Sequence, residues 1–232
     1  MSTTGPSTPP NPSSPDRLGS GASDYGWHSA DPHHMERRFL PLLDRIMAPA
    51  ATGRQTTVLD VGCGNGALCG RFLERGYRVV GIDVSESGLA IARAAHPAAR
   101  FEMLEADETI LERLAEPHFD CVTCMEVIEH VYDPLSLLRG CWKAVRPGGT
   151  FVCSTPYHGY LKNLAIALLD KFDKHVEPWY VGGHIKFFSR RTLLPLMREA
   201  GFVNLQFHGV GRLPYLWMSM VVSGEKPARG DS

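Results

Sequence analysis

The chain of 232 residues is long enough for one well-buried core. With 44% apolar residues, 21% charged residues and a net charge of -1, it lacks the basic excess of a broad nucleic-acid surface. No apolar run approaches the roughly 20 residues of a membrane span, and the N-terminus carries no signal-peptide core. The six cysteines fall mostly within predicted strands and helices. That usage fits reduced core thiols and a cytoplasmic protein.

Residues 1–24 are rich in Ser, Thr, Pro and Gly and are expected to form a disordered tail, followed by one domain over 25–227 and a flexible end over 228–232. The first helix is expected from Pro32 to Met47, with Met35, Phe39, Leu42, Leu43 and Ile46 at helical spacing. Val58 to Val61 reads as a buried strand, Gly62 to Gly66 as a tight turn, and Ala67 to Arg75 as a helix. A second apolar run, Arg78 to Ile82, ends in Asp83. Helices follow at Glu86–Ala95 and Thr109–Leu114, flanking a short strand at Arg100–Leu104. Phe119–Val127 is a fourth strand, Pro134–Val145 a helix stopped by Arg146-Pro147-Gly148-Gly149, and Thr150–Ser154 a fifth strand. Such alternation predicts a parallel sheet with helices on both faces. After a helix at Ser189–Ala200, two runs (Val203–Val210 and Leu216–Ser223) follow without a helix between them. Cys121 and Cys124 form a C-x-x-C pair, yet positions three apart on a strand face opposite sides, which argues against metal or redox chemistry there.

The turn after the first strand carries the chemistry. Its glycines, Gly62, Gly64 and Gly66, have the spacing G-x-G-x-G, where a dinucleotide fold has G-x-G-x-x-G. Asp60 stands two residues before them. A carboxylate there repels a pyrophosphate but suits a ligand bearing an ammonium or sulfonium group. S-adenosylmethionine (SAM) bears both, and an acidic residue ending the second strand suits its ribose.

On these residues the chain resembles the class I SAM-dependent methyltransferases. The resemblance implies an α/β, doubly wound, mostly parallel seven-stranded sheet ending in an antiparallel hairpin. It places Asp60, Gly62, Cys63, Gly64 and Gly66 along the methionine and ribose of SAM, Asp83 on the ribose and Val84 on the adenine. Ala106, Asp107 and Met125 follow as further cofactor neighbours, with Asp107 the candidate for the adenine amino group.

Glu126, Glu129 and His130 lie just after the fourth strand, and His184 comes later in Gly183-His184-Ile185-Lys186. Two carboxylates and an imidazole at one strand end suit a divalent ion such as Mg²⁺. The stretch Cys124 to His130 is similar to that of the ubiquinone-biosynthesis O-methyltransferases. The late histidine is shared with the small-RNA 3′-terminal 2′-O-methyltransferases. Carried over, the metal ligands are Glu126, Glu129, His130 and His184. Without metal, Glu129, His130 and His184 remain as helix-capping, cofactor-seating or acid–base groups.

Leu161, Leu164, Ala165, Leu168, Leu169 and Phe172 share one helical face, with Lys162, Asp170, Lys171 and Lys174 elsewhere. Residues 160–174 therefore read either as a lid or as a peripheral contact with the inner membrane face. Tyr157, Tyr160, Trp179 and Tyr180 are candidate pocket aromatics. The expected reaction is transfer of methyl from SAM to an oxygen of a small aromatic or quinol-like acceptor. The alternatives are an RNA 3′ end, a carboxylate or a nitrogen as acceptor, or a SAM-binding protein without catalysis. Glycine spacing disfavours a nicotinamide dehydrogenase, and oligomeric state is not legible.

Overall fold

The computed structural model describes residues 27, 29, 31, 36–47, 54–176 and 183–228. The expected tail, the expected helical residues 32–35, and Trp179 and Tyr180 lie outside them.

The order of elements is α1 (Glu36–Ile46), β1 (Thr57–Val61), α2 (Ala67–Glu74), β2 (Arg78–Asp83), α3 (Glu86–Ala95) and β3 (Arg100–Met103). Then come α4 (Ile110–Leu114), β4 (Phe119–Met125), a short 3-10 turn (Ile128–His130), α5 (Pro134–Ala144) and β5 (Val145–Pro156). The chain continues through α6 (Tyr160–Leu168), α7 (Phe172–Val176), α8 (Arg190–Glu199), β6 (Val203–Val210) and β7 (Ser219–Glu225). One seven-stranded sheet has the order β3-β2-β1-β4-β5-β7-β6. β1 to β5 pair in parallel, and β7 pairs antiparallel with both β5 and β6. This is the doubly wound sheet with a terminal antiparallel hairpin that the sequence led us to expect.

Both sheet faces are buried, which is why β1 and β4 read as nearly continuous apolar runs. One core layer holds Leu59, Cys124, Phe151 and Phe202; the other holds Val58, Phe72, Leu89, Cys121 and Phe39 of α1. Cys121 and Cys124 thus occupy opposite faces, and all six cysteines are free and buried.

Beyond shifts of one or two residues at other element ends, three features differ from the sequence reading. β5 begins directly at Val145, because Val145 still pairs with Phe119 and Arg146–Gly149 is a register shift inside the strand. β7 starts at Ser219 rather than Leu216, since its register is fixed by Pro156 and Val210 opposite Ser219. The segment after β5 is two helices, broken at Asp170, whose φ is 51°.

Candidate functional site

The carboxyl ends of β1, β2 and β4 bring the candidate residues together, where ligands bind in open α/β sheets. The turn after β1 docks on β2: the Gly62 and Cys63 amides donate to the Ile82 carbonyl at 2.8 and 3.0 Å. Gly62 has a φ of 75°, and a Cβ there would lie 2.2 Å from Val127 Cγ2, so only glycine fits. The Gly64 amide donates to Asp83 Oδ2 at 2.7 Å and the Ser85 amide to Oδ1 at 2.8 Å. Each Asp83 oxygen keeps a further lone pair for a hydroxyl. Burial pushes its carboxyl above the usual range, against the pull of the Ser85, Gly64 and Val84 amides.

Asp60 is buried under the turn and accepts from Thr123 Oγ1 at 2.7 Å and Cys69 Sγ at 3.4 Å. Desolvation raises its pKa to about 7, with the Thr123 and Cys69 hydrogen bonds opposing. A buried carboxylate that faces no cation among the described residues is suited to a cationic ligand. Together with the glycine turn and Asp83, this donor set fits SAM.

Several contributors were not readable from sequence. Trp27 packs over the turn: a Cβ on Gly64 would lie 2.6 Å from its Cζ2. Asn65 caps the turn, accepting from the Ala67 amide at 3.2 Å and donating to the Ser29 and Asp31 carbonyls at 2.7 and 3.0 Å. Asp107, the expected candidate for the adenine amino group, accepts from the Thr109 amide and hydroxyl at 2.7 and 2.6 Å just ahead of α4. Ala106, Val84 and Met125 are half-buried at neighbouring strand ends.

The second half of the site follows β4. Glu126 has a φ of 56°, the left-handed region that a bulky residue adopts only under constraint. Its amide donates to Ser154 Oγ at 3.0 Å, the same hydroxyl donates back to Glu126 Oε1 at 2.8 Å, and Ser219 Oγ donates to Oε2 at 3.4 Å. Burial raises this carboxyl to about 7, opposed by those hydroxyls and by Lys162.

Glu129 is 1% exposed, and both its oxygens are buried without a hydrogen bond of acceptable geometry. Desolvation and the nearby Glu126 charge push its carboxyl well above the ordinary range, the Thr155 hydroxyl tempering the shift. His130 Nε2 lies 3.9 Å and His184 Nε2 4.0 Å from Glu129 Oε1. The two rings meet edge to face at 4.9 Å. His130 Nδ1 stands 3.3 Å from the Gly183 carbonyl, which can only accept, so that nitrogen carries the proton of the bond and Nε2 is the ring's ligand atom. The Ile185 and Lys186 amides both donate to the Glu129 carbonyl, at 2.9 and 3.0 Å, which delivers His184 to the cluster. Desolvation lowers the His184 pKa to about 4, aided by His130, His175 and Lys162, so it is neutral and able to ligate at pH 7.

Among the described residues, Glu129, His130 and His184 offer ligand atoms within 4.8 Å of one another. Glu126, the fourth expected ligand, faces Ser154 and Ser219 instead. A paired-imidazole and carboxylate set with orphaned buried oxygens fits a divalent ion.

A family model described as "Methyltransferase domain" matches residues 32–207. Curated relatives named ubiquinone biosynthesis O-methyltransferase include one from Idiomarina loihiensis, 33% identical over 66% of this chain and 64% of its own length. Another, from Aromatoleum aromaticum, is 34% identical over 68% of this chain and 68% of its own. A third, from Pseudomonas aeruginosa, is 43% identical over 62% of this chain and 63% of its own. The first and third matches thus span less than two thirds of the relative's length. Among solved structures, a SAM-dependent methyltransferase from Mesorhizobium loti superposes with a TM-score of 0.59 at 24% identity, covering 82% of this chain and 98% of that one. Phosphoethanolamine N-methyltransferase 2 from Haemonchus contortus, solved with SAM, gives 0.63 at 16% identity, covering 85% and 54%. The sheet order, the glycine turn with its two aspartates, and a family match over most of the sequence place this chain among the SAM-dependent methyltransferases.

Proposed function

We propose that the protein transfers the methyl group of SAM to an oxygen of a small aromatic acceptor of the catechol or quinol type, assisted by a divalent ion held by Glu129, His130 and His184. The observation that carries this reading is Glu129: a fully buried carboxyl whose oxygens make no hydrogen bond of acceptable geometry with the described residues and face two imidazoles about 4 Å away. Sequence likeness to relatives named ubiquinone biosynthesis O-methyltransferases supports oxygen as the acceptor atom and an aromatic acceptor.

SAM supplies an already activated methyl, so the chain's task is to position the nucleophile in line and remove its proton. A bound divalent ion lowers the pKa of a phenol that otherwise ionises near 10. Asp60 and Asp83 hold the cationic and ribose parts of the cofactor. Trp27 covers the turn, and Glu126, locked by Ser154 and Ser219, fixes the backbone from which Glu129 and His130 project. Labelled methyl transfer to catechols and hydroquinones, with Mg²⁺ or with EDTA, tests the reading. Turnover that requires the ion is expected. Turnover indifferent to EDTA would remove the ion and leave proton removal to the two histidines.

Access for a lipid-soluble acceptor is the second part of the proposal. α6 and α7 turn their apolar side outward: Leu168 is 76% exposed and Tyr160 78%, with Leu161, Leu164 and Phe172 also exposed, while Lys162 is the buried residue of α6. Lys162 Nζ donates to the Met218 carbonyl at 3.0 Å, which anchors the helix by its charged side. Among the described residues no helix is long and apolar enough to cross a membrane. An outward apolar face of this size suits a membrane surface. Co-sedimentation with liposomes is expected and should weaken in L164S/L168S. Full retention of the wild type in the supernatant would exclude the contact.

A further inference from the structure

A second cavity, built from residues that the Glu129 cluster does not use, opens where α1 meets the end of β6 and the β6–β7 loop. Its volume is about 560 Å³. Arg38 and Arg45 enter it from α1 and Arg190 from the start of α8, and among the described residues none that lines it is a carboxylate. Among the described residues, none of the three arginines is in an ion pair. Arg190 is pre-oriented, its guanidinium standing 5.2 Å from the Phe207 ring centroid. Arg38 Nη1 reaches the loop, 3.3 Å from where a Cβ on Gly211 would lie.

The opposite wall is aromatic. Tyr157, Phe207 and Trp217 meet edge to face with centroids 5.2, 5.4 and 6.3 Å apart. His208 also lines the space, and its buried Nε2 has no hydrogen-bond partner. The loop that carries Tyr215 into the lining has Arg212 and Tyr215 at φ of 56° and 64°, a conformation that side chains other than glycine rarely adopt.

Solvated surface is the ordinary fate of an arginine, and each of these taken singly would be one. Three that converge on one concavity, with no carboxylate among its described lining residues, concentrate positive potential there. A guanidinium fork matches carboxylate and phosphate oxygens, and the aromatic wall matches an apolar body. We propose that this cavity binds a small molecule carrying one carboxylate or phosphate on an aromatic or aliphatic body. Arg38, Arg45 and Arg190 hold the anion, and Tyr157, Phe207 and Trp217 hold the body.

β6 runs parallel to β5, so its end opens on the same side of the sheet as the catalytic residues. Tyr157, which lines the cavity, lies two positions after Thr155, whose hydroxyl neighbours Glu129. The site stands whether its occupant is the methyl acceptor itself or a separate effector.

Calorimetric titration of the full chain with octanoate, octyl phosphate and octanol tests this. One of the anions should bind once per chain, with octanol weaker by about tenfold or more. The preference between the two anions identifies carboxylate or phosphate as the natural group. R38Q/R45Q/R190Q should lose at least about tenfold in anion affinity, and R190Q alone part of it, with SAM affinity unchanged. The fluorescence change caused by the anion should vanish in W217F. Equal binding of octanol, no binding of either anion, undiminished binding by the triple variant, or a signal that survives in W217F would each overturn the site. Loss of SAM binding by the wild type would instead refute the methyltransferase reading and leave the anion result intact.

Discussion

Among the described residues, Asp60 and Glu129 are both carboxylates buried without a cation at hydrogen-bonding distance, and they differ in what surrounds them. Asp60 retains a hydroxyl and a thiol as donors, whereas Glu129 has none of acceptable geometry and two imidazoles about 4 Å away. The first arrangement suits a diffuse organic cation; the second would suit a compact one that imidazoles can also ligate. Asp83 belongs with the first group, because its amide partners leave each oxygen a lone pair that a hydroxyl could use. A contrast between variants follows. Asp83→Ala should abolish measurable SAM binding by calorimetry. Glu129→Gln and His184→Ala should keep SAM affinity within about twofold while lowering turnover by at least about 10², the scale of a lost acid–base or metal-bound group. Equal SAM affinity in Asp83→Ala would refute the ribose assignment.

At the scale of elements, α5 ends on a side chain from the far end of the sequence. Lys226 Nζ donates to the Trp142 and Val145 carbonyls at 2.9 and 2.8 Å and lies 4.1 Å from the Trp142 ring centroid. These are the carbonyls that a helix C-terminus leaves without intrahelical donors. Lys226→Met should cost about 2 kcal/mol, read as a lower denaturant midpoint with an unchanged slope. Lys226 gave no sign of this in the sequence, because a helix-capping lysine 82 positions from its partner's end has no local signature. The alternation from β1 to β5 was legible because strands buried on both faces must be apolar throughout. The Gly62 turn was legible because its φ and the approach of Val127 admit no side chain. By contrast, the stripe on α6 reported its period but not which way it faces, so the burial of Lys162 was not legible. Thr123 and Ser154, which position Asp60 and Glu126, are ordinary strand residues until the register of β4 against its neighbours is known.

For the molecule as a whole, stability at low pH turns on Asp120. Desolvation works against its ionised form but is outweighed by the Thr57 amide and hydroxyl and by Arg146 and Arg54, which together hold its pKa near 2. A carboxyl whose folded pKa lies below its unfolded value stabilises the fold fully above about pH 5. That contribution, about 2 kcal/mol at neutral pH, is lost as pH falls from 4 toward 2. Asp120→Asn should therefore lower stability at pH 7 by about that amount and match the wild type near pH 2. Equal acid limbs on chemical denaturation would show that the pairing contributes nothing. Asp120 joins β1, β4 and β5 at the amino ends of their strands, so this test reads the frame without touching the site.

The pair of amides that Ile185 and Lys186 give to the Glu129 carbonyl has a wider consequence. One half of the site is made by a contiguous stretch of chain, from Asp60 to Asp83, and the other half closes only when a segment some fifty residues downstream returns to β4. The two halves are thus separable in time. Opening of the return segment would dismantle the acceptor side and leave the cofactor side standing, which would order the encounter: cofactor first, acceptor second, product out by the reverse route. Hydrogen exchange should show the Ile185 and Lys186 amides exchanging sooner than Gly62 and Gly64, with SAM protecting the glycines and an acceptor needed to slow the others. Concerted exchange of all four would mean a single closed unit, with no such sequence of events.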